Sequence, residues 1–274
     1  MQRPSFSREY ILKELDKLSS TISIPLKLFV IGGMALIDLG LKEATKDLDV
    51  VVVSPRELNA LAVSLETLGY RSPSSVIILR PYKKMEASKI LENTEGFRWD
   101  IFLRQVCGAL TFSKGMISRA TSFYDKRLLK VMQAAKEDIF LFKGITEREA
   151  DLDDMRLLAE SGLDWKVVEH ECRRQSISSG RLWENALLQN LIDLRDKHKI
   201  SSPIERTLER IVGEKLTQDA LIEAVKKGII TVKLISKDTK LSEYLIRKSA
   251  KKMEKKGLLR INKSSRPHKL ILTK

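Results

Sequence analysis

"FVIGGMALIDLGLKEATKDLDVVV", residues Phe29–Val52, carries two carboxylates at the mouth of an apolar run. An apolar stretch from Leu26 to Ile31 reads as a strand. Gly32 and Gly33 end it, and Met34 to Leu41 reads as a short helix. Thirteen residues separate Gly33 from Asp47, and Leu48 to Val53 is a second, β-branched run. Ser54-Pro55 then opens a helix, with serine as cap and proline in the first turn, and Gly69 closes it.

On a strand, residues two apart share a face, so Asp47 and Asp49 project side by side with Cα atoms about 6.5–7 Å apart. Two bare carboxylates that close repel, and a bound cation removes the problem. Magnesium sits about 2.1 Å from each oxygen ligand, and two ions about 3.5–4 Å apart are the usual arrangement for moving phosphoryl groups. Asp100, in "FRWDIF", offers a third carboxylate at the start of another β-like run, with Trp99 and Ile101 on the opposite face. Gly32 and Gly33 lack side chains, so backbone N–H groups there can approach a phosphate, and the following helix offers its positive end. An Asp-x-Asp or a Gly-Gly pair alone is more often structural than catalytic. Here strand, Gly-Gly, helix, Asp-x-Asp and a later strand aspartate occur in order.

In that order the sequence resembles the nucleotidyltransferase superfamily of the DNA polymerase β type. The resemblance rests on Ile31-Gly32-Gly33, the thirteen-residue gap, Asp47-Leu48-Asp49-Val50 and Asp100, and covers roughly residues 5–160. It implies an α+β fold with a mixed β-sheet flanked by helices. Asp47, Asp49 and Asp100 would be the catalytic and metal-holding residues, with Mg²⁺ (or Mn²⁺) as cofactor, an NTP as substrate and pyrophosphate as product. A second stretch, "KEDIFLFKGITEREADLDDMRLL" (Lys136–Leu158), is similar to minimal nucleotidyltransferases and abortive-infection toxin enzymes. By that resemblance Lys143 contacts nucleotide phosphates, with Arg148, Asp151 and Asp154 beside it and Gly32 and Gly33 completing the nucleotide site. Ala150 stands where the pattern has lysine. The same acidic residues also suit a solvated first helical turn, the reading preferred for Asp153.

Elsewhere, Ser7–Ser19, Glu137–Lys143, Asp151–Ala159 and Leu163 to about Lys199 have helical spacing. Val76–Leu79, Trp99–Leu103 and Leu128–Val131 are strand candidates, and Ile200-Ser201-Ser202-Pro203 is the best linker. These divide the chain into a domain over residues 1–160, a helical segment over 161–203 and a second domain over 204–274. The 43% hydrophobic content is that of a globular chain. No apolar run is long enough to span a membrane, and the N-terminal residues have no signal-like apolar core. Cys107 and Cys172 form neither a disulfide framework nor, with three scattered histidines, a zinc spacing, so a cytoplasmic location is expected.

Net charge is +14, of which residues 204–274 carry +11. So local a basic block points to a polyanion: nucleic acid first, an anionic membrane surface second. Helix, short helix, long helix and a hairpin follow one another there. The long helix, Leu241 to Lys256, can be capped by Ser242, sets Ile246, Ala250 and Met253 on one apolar stripe, and carries Arg247, Lys248, Lys251, Lys252, Lys255 and Lys256. Lys263 and Arg266 lie in the hairpin turn. This order resembles a winged helix-turn-helix, which implies that those cations bind nucleic acid and that the hairpin is the wing. Two functions stay open. One is a nucleotidyltransferase acting on an undetermined hydroxyl acceptor with an attached nucleic-acid-binding module, as in toxin–antitoxin systems. The other is a non-catalytic nucleotidyltransferase-like scaffold or sensor in a winged-helix transcriptional regulator.

Overall fold

In a computed structural model, described over residues 3–73, 87–146, 149–264 and 266–273, the chain divides into two compact units, Met1–Ile204 and Glu205–Lys274. The strand candidate Val76–Leu79 and Arg148 lie outside the described residues.

The first unit is built on β2 (Leu26–Ile31), whose six residues "LKLFVI" are buried but for Lys27. Its sheet also holds β4 (Asp47–Val52), β5 (Lys89–Glu92), β6 (Arg98–Leu103), β9 (Thr121–Lys126) and β10 (Leu129–Gln133). The strand order is β5-β6-β4-β2-β10-β9. β4 runs parallel to β6 and β2 parallel to β10; the other neighbours are antiparallel. The sheet is therefore mixed, with its most apolar strands in the middle. Two short pairs fasten its rim. β1 (Phe6–Ser7) pairs with β3 (Ala44–Thr45), and β7 (Gln105–Val106) pairs with β8 (Leu110–Thr111).

Helices form where caps and apolar spacing coincide. Ser7 accepts a hydrogen bond from the Tyr10 N–H and starts α1 (Arg8–Thr21), which buries Ile11, Leu15 and Leu18. α2 spans Gly32–Asp38. The two glycines, expected as the turn that ends β2, are instead its first residues. α3 (Pro55–Thr67) is capped reciprocally. The Ser54 hydroxyl accepts from the Glu57 N–H at 3.2 Å, and the Glu57 carboxylate accepts from the Val53 N–H at 3.2 Å. α4 (Lys114–Arg119), α5 (Lys136–Lys143) and α6 (Glu149–Glu160) follow.

Residues 161–203, expected as a separate helical segment, belong to the first unit. They form α7 (Trp165–Ser179) and α8 (Trp183–His198), broken by Gly180 in the left-handed conformation. Arg119 bridges to Glu171 at 3.0 Å, and the Asn190 amide donates to the Gly144 carbonyl at 3.1 Å, which ties both helices to this unit.

The second unit comprises α9 (Glu205–Lys226), α10 (Val232–Thr239), α11 (Glu243–Lys255) and the hairpin β11 (Leu259–Asn262)–β12 (Lys269–Leu272). Leu221, Ile235, Ile246, Ala250, Met253, Leu259 and Leu270 make its core. No helix among the described residues is long and apolar enough to cross a membrane.

Replacing Ser54 by alanine removes one side of the reciprocal cap and is expected to lower stability by about 1 kcal/mol. Chemical denaturation of the full chain measures this, and an unchanged midpoint would show that the cap contributes nothing.

Candidate active site

Register assembles the site. The parallel pairing of β4 with β6 sets Asp47 opposite Arg98 and Asp49 opposite Asp100. Residues paired in register share a sheet face, so three carboxylates and one guanidinium stand as a square on one face at the start of both strands. Trp99 and Ile101 lie on the other face and are fully buried.

The corners differ in their surroundings. Asp47 is 24% exposed, and Asp100 is 0% exposed. One nitrogen of Arg98, Nη2, donates to Asp100 Oδ2 at 2.6 Å and to Asp47 Oδ2 at 3.1 Å. Arg3 Nη1 donates to the same Asp47 oxygen at 3.1 Å. Asp100 Oδ1 is buried with no hydrogen-bond partner. Burial pushes the Asp100 carboxyl up to about 6; the Arg98 charge opposes this and the Asp47 charge adds to it.

Sequence reasoning missed Arg98. Its signal was available: Arg-x-Asp on a strand puts both side chains on one face, as Asp-x-Asp does.

Gly32 and Gly33 are explained by close approach. Gly32 has a φ of +69°, and a Cβ there would lie 2.1 Å from Asp49 Oδ2. A Cβ on Gly33 would lie 2.3 Å from Thr45 Oγ1, whose hydroxyl donates to the Asp47 carbonyl at 3.1 Å. The space expected for a phosphate at these glycines is thus filled by the chain's own Asp49 carboxylate and Thr45 hydroxyl.

Lys143 is brought to the same place. With Gly32, Asp49, Phe102, Phe142 and Thr146 it lines a pocket of about 30 Å³, roughly the room of one water. Its ammonium is already engaged, 2.7 Å from Asp151 Oδ1 and 2.8 Å from Asp154 Oδ2. Burial pulls its pKa down, but the two carboxylates outweigh that, and the net shift is upward. Asp154 also pairs with Lys42, and the Thr146 hydroxyl donates to Asp151. Asp153, by contrast, is 73% exposed, as a solvated residue would be.

Among the described residues no three histidine, cysteine, aspartate or glutamate side chains are gathered in a metal-holding arrangement. In the carboxylate square, the position between Asp47 and Asp100 is occupied by Arg98.

On the second unit, Lys248, Lys251, Lys255, Lys263 and Arg266 are exposed. Arg247 pairs with Glu243 at 2.9 Å and Lys252 with Glu214 at 2.6 Å, so those two charges are partly offset. Lys248 and Lys252 border a groove of about 550 Å³ beside Leu216, Leu241 and Leu245. Tyr244, unremarked in the sequence, is 71% exposed and precedes Lys248, Lys251 and Lys255 by four, seven and eleven residues. At helical spacing these four form one outward stripe.

No family model matches this chain, and no curated protein matches it.

In metal-free buffer the Asp100 shift has a definite sign. Its folded value lies above the ordinary 3.8, so between about 4 and about 6 the folded chain holds a proton that the unfolded chain has released. The stability contributed by this group therefore falls as pH rises through that window. Asp100→Asn removes the slope, and wild type should lose on the order of 1–3 kcal/mol relative to the variant across it. Denaturation of both proteins at several pH values with a chelator present measures the difference.

Proposed function

We propose that the first unit is a metal-dependent nucleotidyltransferase, moving a nucleoside monophosphate from an NTP to a hydroxyl acceptor, and that the second unit is a winged helix-turn-helix binding nucleic acid. The observation that carries the first half is the convergence of Asp47, Asp49 and Asp100 on one sheet face, with Lys143 and Gly32 lining the adjoining pocket. These are the same residues whose order in the sequence resembles the nucleotidyltransferase pattern.

The donor set suits a hard divalent cation: carboxylate oxygens alone, one of them buried without a partner. Asp47, Asp49 and Asp100 would hold Mg²⁺ or Mn²⁺. Such an ion supplies neutralisation of triphosphate charge and activation of the acceptor hydroxyl. The chain's own residues do the positioning. β4 and β6 are a rigid mount for the carboxylates. Gly32 lets α2 close over Asp49. Asp100 would take the acceptor's proton. Lys143, held by Asp151 and Asp154, would reach phosphate oxygens at the pocket wall by loosening those two ion pairs.

For the second unit, support comes from the sequence of three helices and a hairpin, and from the stripe of Tyr244, Lys248, Lys251 and Lys255 on α11. Lysines there would neutralise phosphates, and the tyrosine ring offers a hydroxyl donor or a stacking face.

One set of contacts favours the scaffold reading instead. Arg98 and Arg3 neutralise the carboxylates without a metal, and the pocket is small. Calorimetric titration of ATP, CTP, GTP and UTP separates the two. The enzyme reading expects Mg²⁺-dependent binding that Asp47→Ala with Asp49→Ala abolishes. No binding by wild type at millimolar nucleotide would leave the scaffold reading.

For the C-terminal unit, Lys251→Ala with Lys255→Ala should weaken binding to duplex DNA and flatten the plot of log K against log salt by about 1.8, two contacts at about 0.9 each. An unchanged slope in fluorescence-anisotropy titrations would remove α11 from the interface.

A further inference from the structure

A groove on the second unit is kept open at the expense of the helix that walls it. It lies between α9 and α11, holds about 550 Å³, and is lined by Leu216, Leu241 and Leu245. A space of that size takes a small organic molecule. Gly213 lines it from the interior of α9. Glycine is among the poorest residues for a helix interior. A Cβ on Gly213 would meet nothing within 4 Å, so no neighbour in the chain requires its absence. The missing side chain serves only to leave the groove clear. Ser249 lines the groove from α11, is 8% exposed, and has a hydroxyl with no hydrogen-bond partner. Buried hydroxyls are ordinarily paired, so this one has a bond to offer an occupant.

The charges select that occupant. Among the described residues of the lining, Arg210, Lys248 and Lys252 face two carboxylates, Glu209 and Glu214. Glu214 is 2.6 Å from Lys252 and 3.6 Å from Arg210, so one carboxylate answers two cations. Lys248 has no ion pair among the described residues. The leucines and the methylene stems of the lysines offer aliphatic surface, and no aromatic ring is among the described lining residues. We propose that the groove binds an aliphatic carboxylate, its chain against the leucines and its head accepting from the Lys248 ammonium and the Ser249 hydroxyl. Lys248 also belongs to the outward stripe of Tyr244, Lys251 and Lys255. A carboxylate held there removes one charge from that stripe, so ligand and duplex DNA weaken each other's binding. This coupling rests on the nucleic-acid reading given above; the ligand site does not.

The test is calorimetric titration of the full chain with decanoate below its micellar range, together with anisotropy of a labelled duplex with and without it. Wild type should bind decanoate at one site. Gly213→Leu fills the groove and replaces a poor helix former. It should melt no lower than wild type and bind decanoate at least about tenfold more weakly. Lys248→Gln, a change at an exposed position, should also lose about tenfold, and it carries the comparison if the leucine variant does not fold. Saturating decanoate should flatten the wild-type plot of log K for duplex against log salt by about 0.9, one phosphate contact, and leave the Lys248→Gln slope unchanged. No decanoate binding by wild type at millimolar concentration would overturn the site. So would binding to both variants as tight as to wild type. A wild-type dimer that Gly213→Leu converts to monomer in sedimentation would also overturn it, with a second copy of the chain as the occupant. Decanoate binding with an unchanged duplex slope would overturn the coupling and leave the site standing. Decanoate binding by a wild type that binds no duplex would overturn the nucleic-acid reading, and the coupling with it, and support the site alone.

Discussion

The parallel pairing of β4 with β6 is the constraint on which the site depends. Sheet register is strongly specified wherever a face is buried, because a one-residue slip turns every side chain to the other face. Here a slip would carry Trp99 and Ile101 out of the core and Asp100 into apolar packing. The fully buried Leu48, Val50, Trp99 and Ile101 thus hold Asp47, Asp49, Arg98 and Asp100 on the opposite face. The core sets the geometry of the charges, and the charges satisfy one another: an unpaired arginine or carboxylate as buried as Arg98 or Asp100 would be strongly unfavourable.

Much of this was legible in the sequence, and the parts that were not share a physical cause. β2, β4 and β6 are buried and read as apolar or alternating runs. β5 and β9 lie at the two edges of the sheet, and β9, "TSFYDK", has no buried residue. With one side facing solvent, such strands lack the hydrophobic pattern that identifies a central one. The break between α7 and α8 rests on Gly180 alone, which a continuous helical spacing on either side conceals. The second unit gave its order of elements away because α11 separates its faces: Ile246, Ala250 and Met253 are inside, and the lysines are outside or at a groove rim.

The carboxylates were legible; their partners were not. Asp47, Asp49 and Asp100 are recognisable by spacing within a strand, but which cations meet them depends on pairing between strands distant in sequence. Arg98 is two residues from Asp100 in the chain yet meets Asp47 across 51 residues. The same holds for Lys143, whose two carboxylate partners come from the next helix, and for Lys252, whose partner Glu214 is on α9. Exposed lysines at helical spacing look alike in sequence, and only the packing separates a paired one from one open to a polyanion.

Gly32 and Asp49 behave as a single position occupied twice. The oxygen of one fills the volume that a side chain on the other would need, and the backbone at Gly32 turns through a conformation that few other residues adopt. Neither can drift without the other: a methyl group at 32 evicts the carboxylate, while a smaller side chain at 49 opens a void under α2. A descendant of this chain that no longer kept the Asp49 carboxylate would be released from both restrictions at once. Joint loss of the glycine and the aspartate, rather than loss of either alone, would mark that lineage.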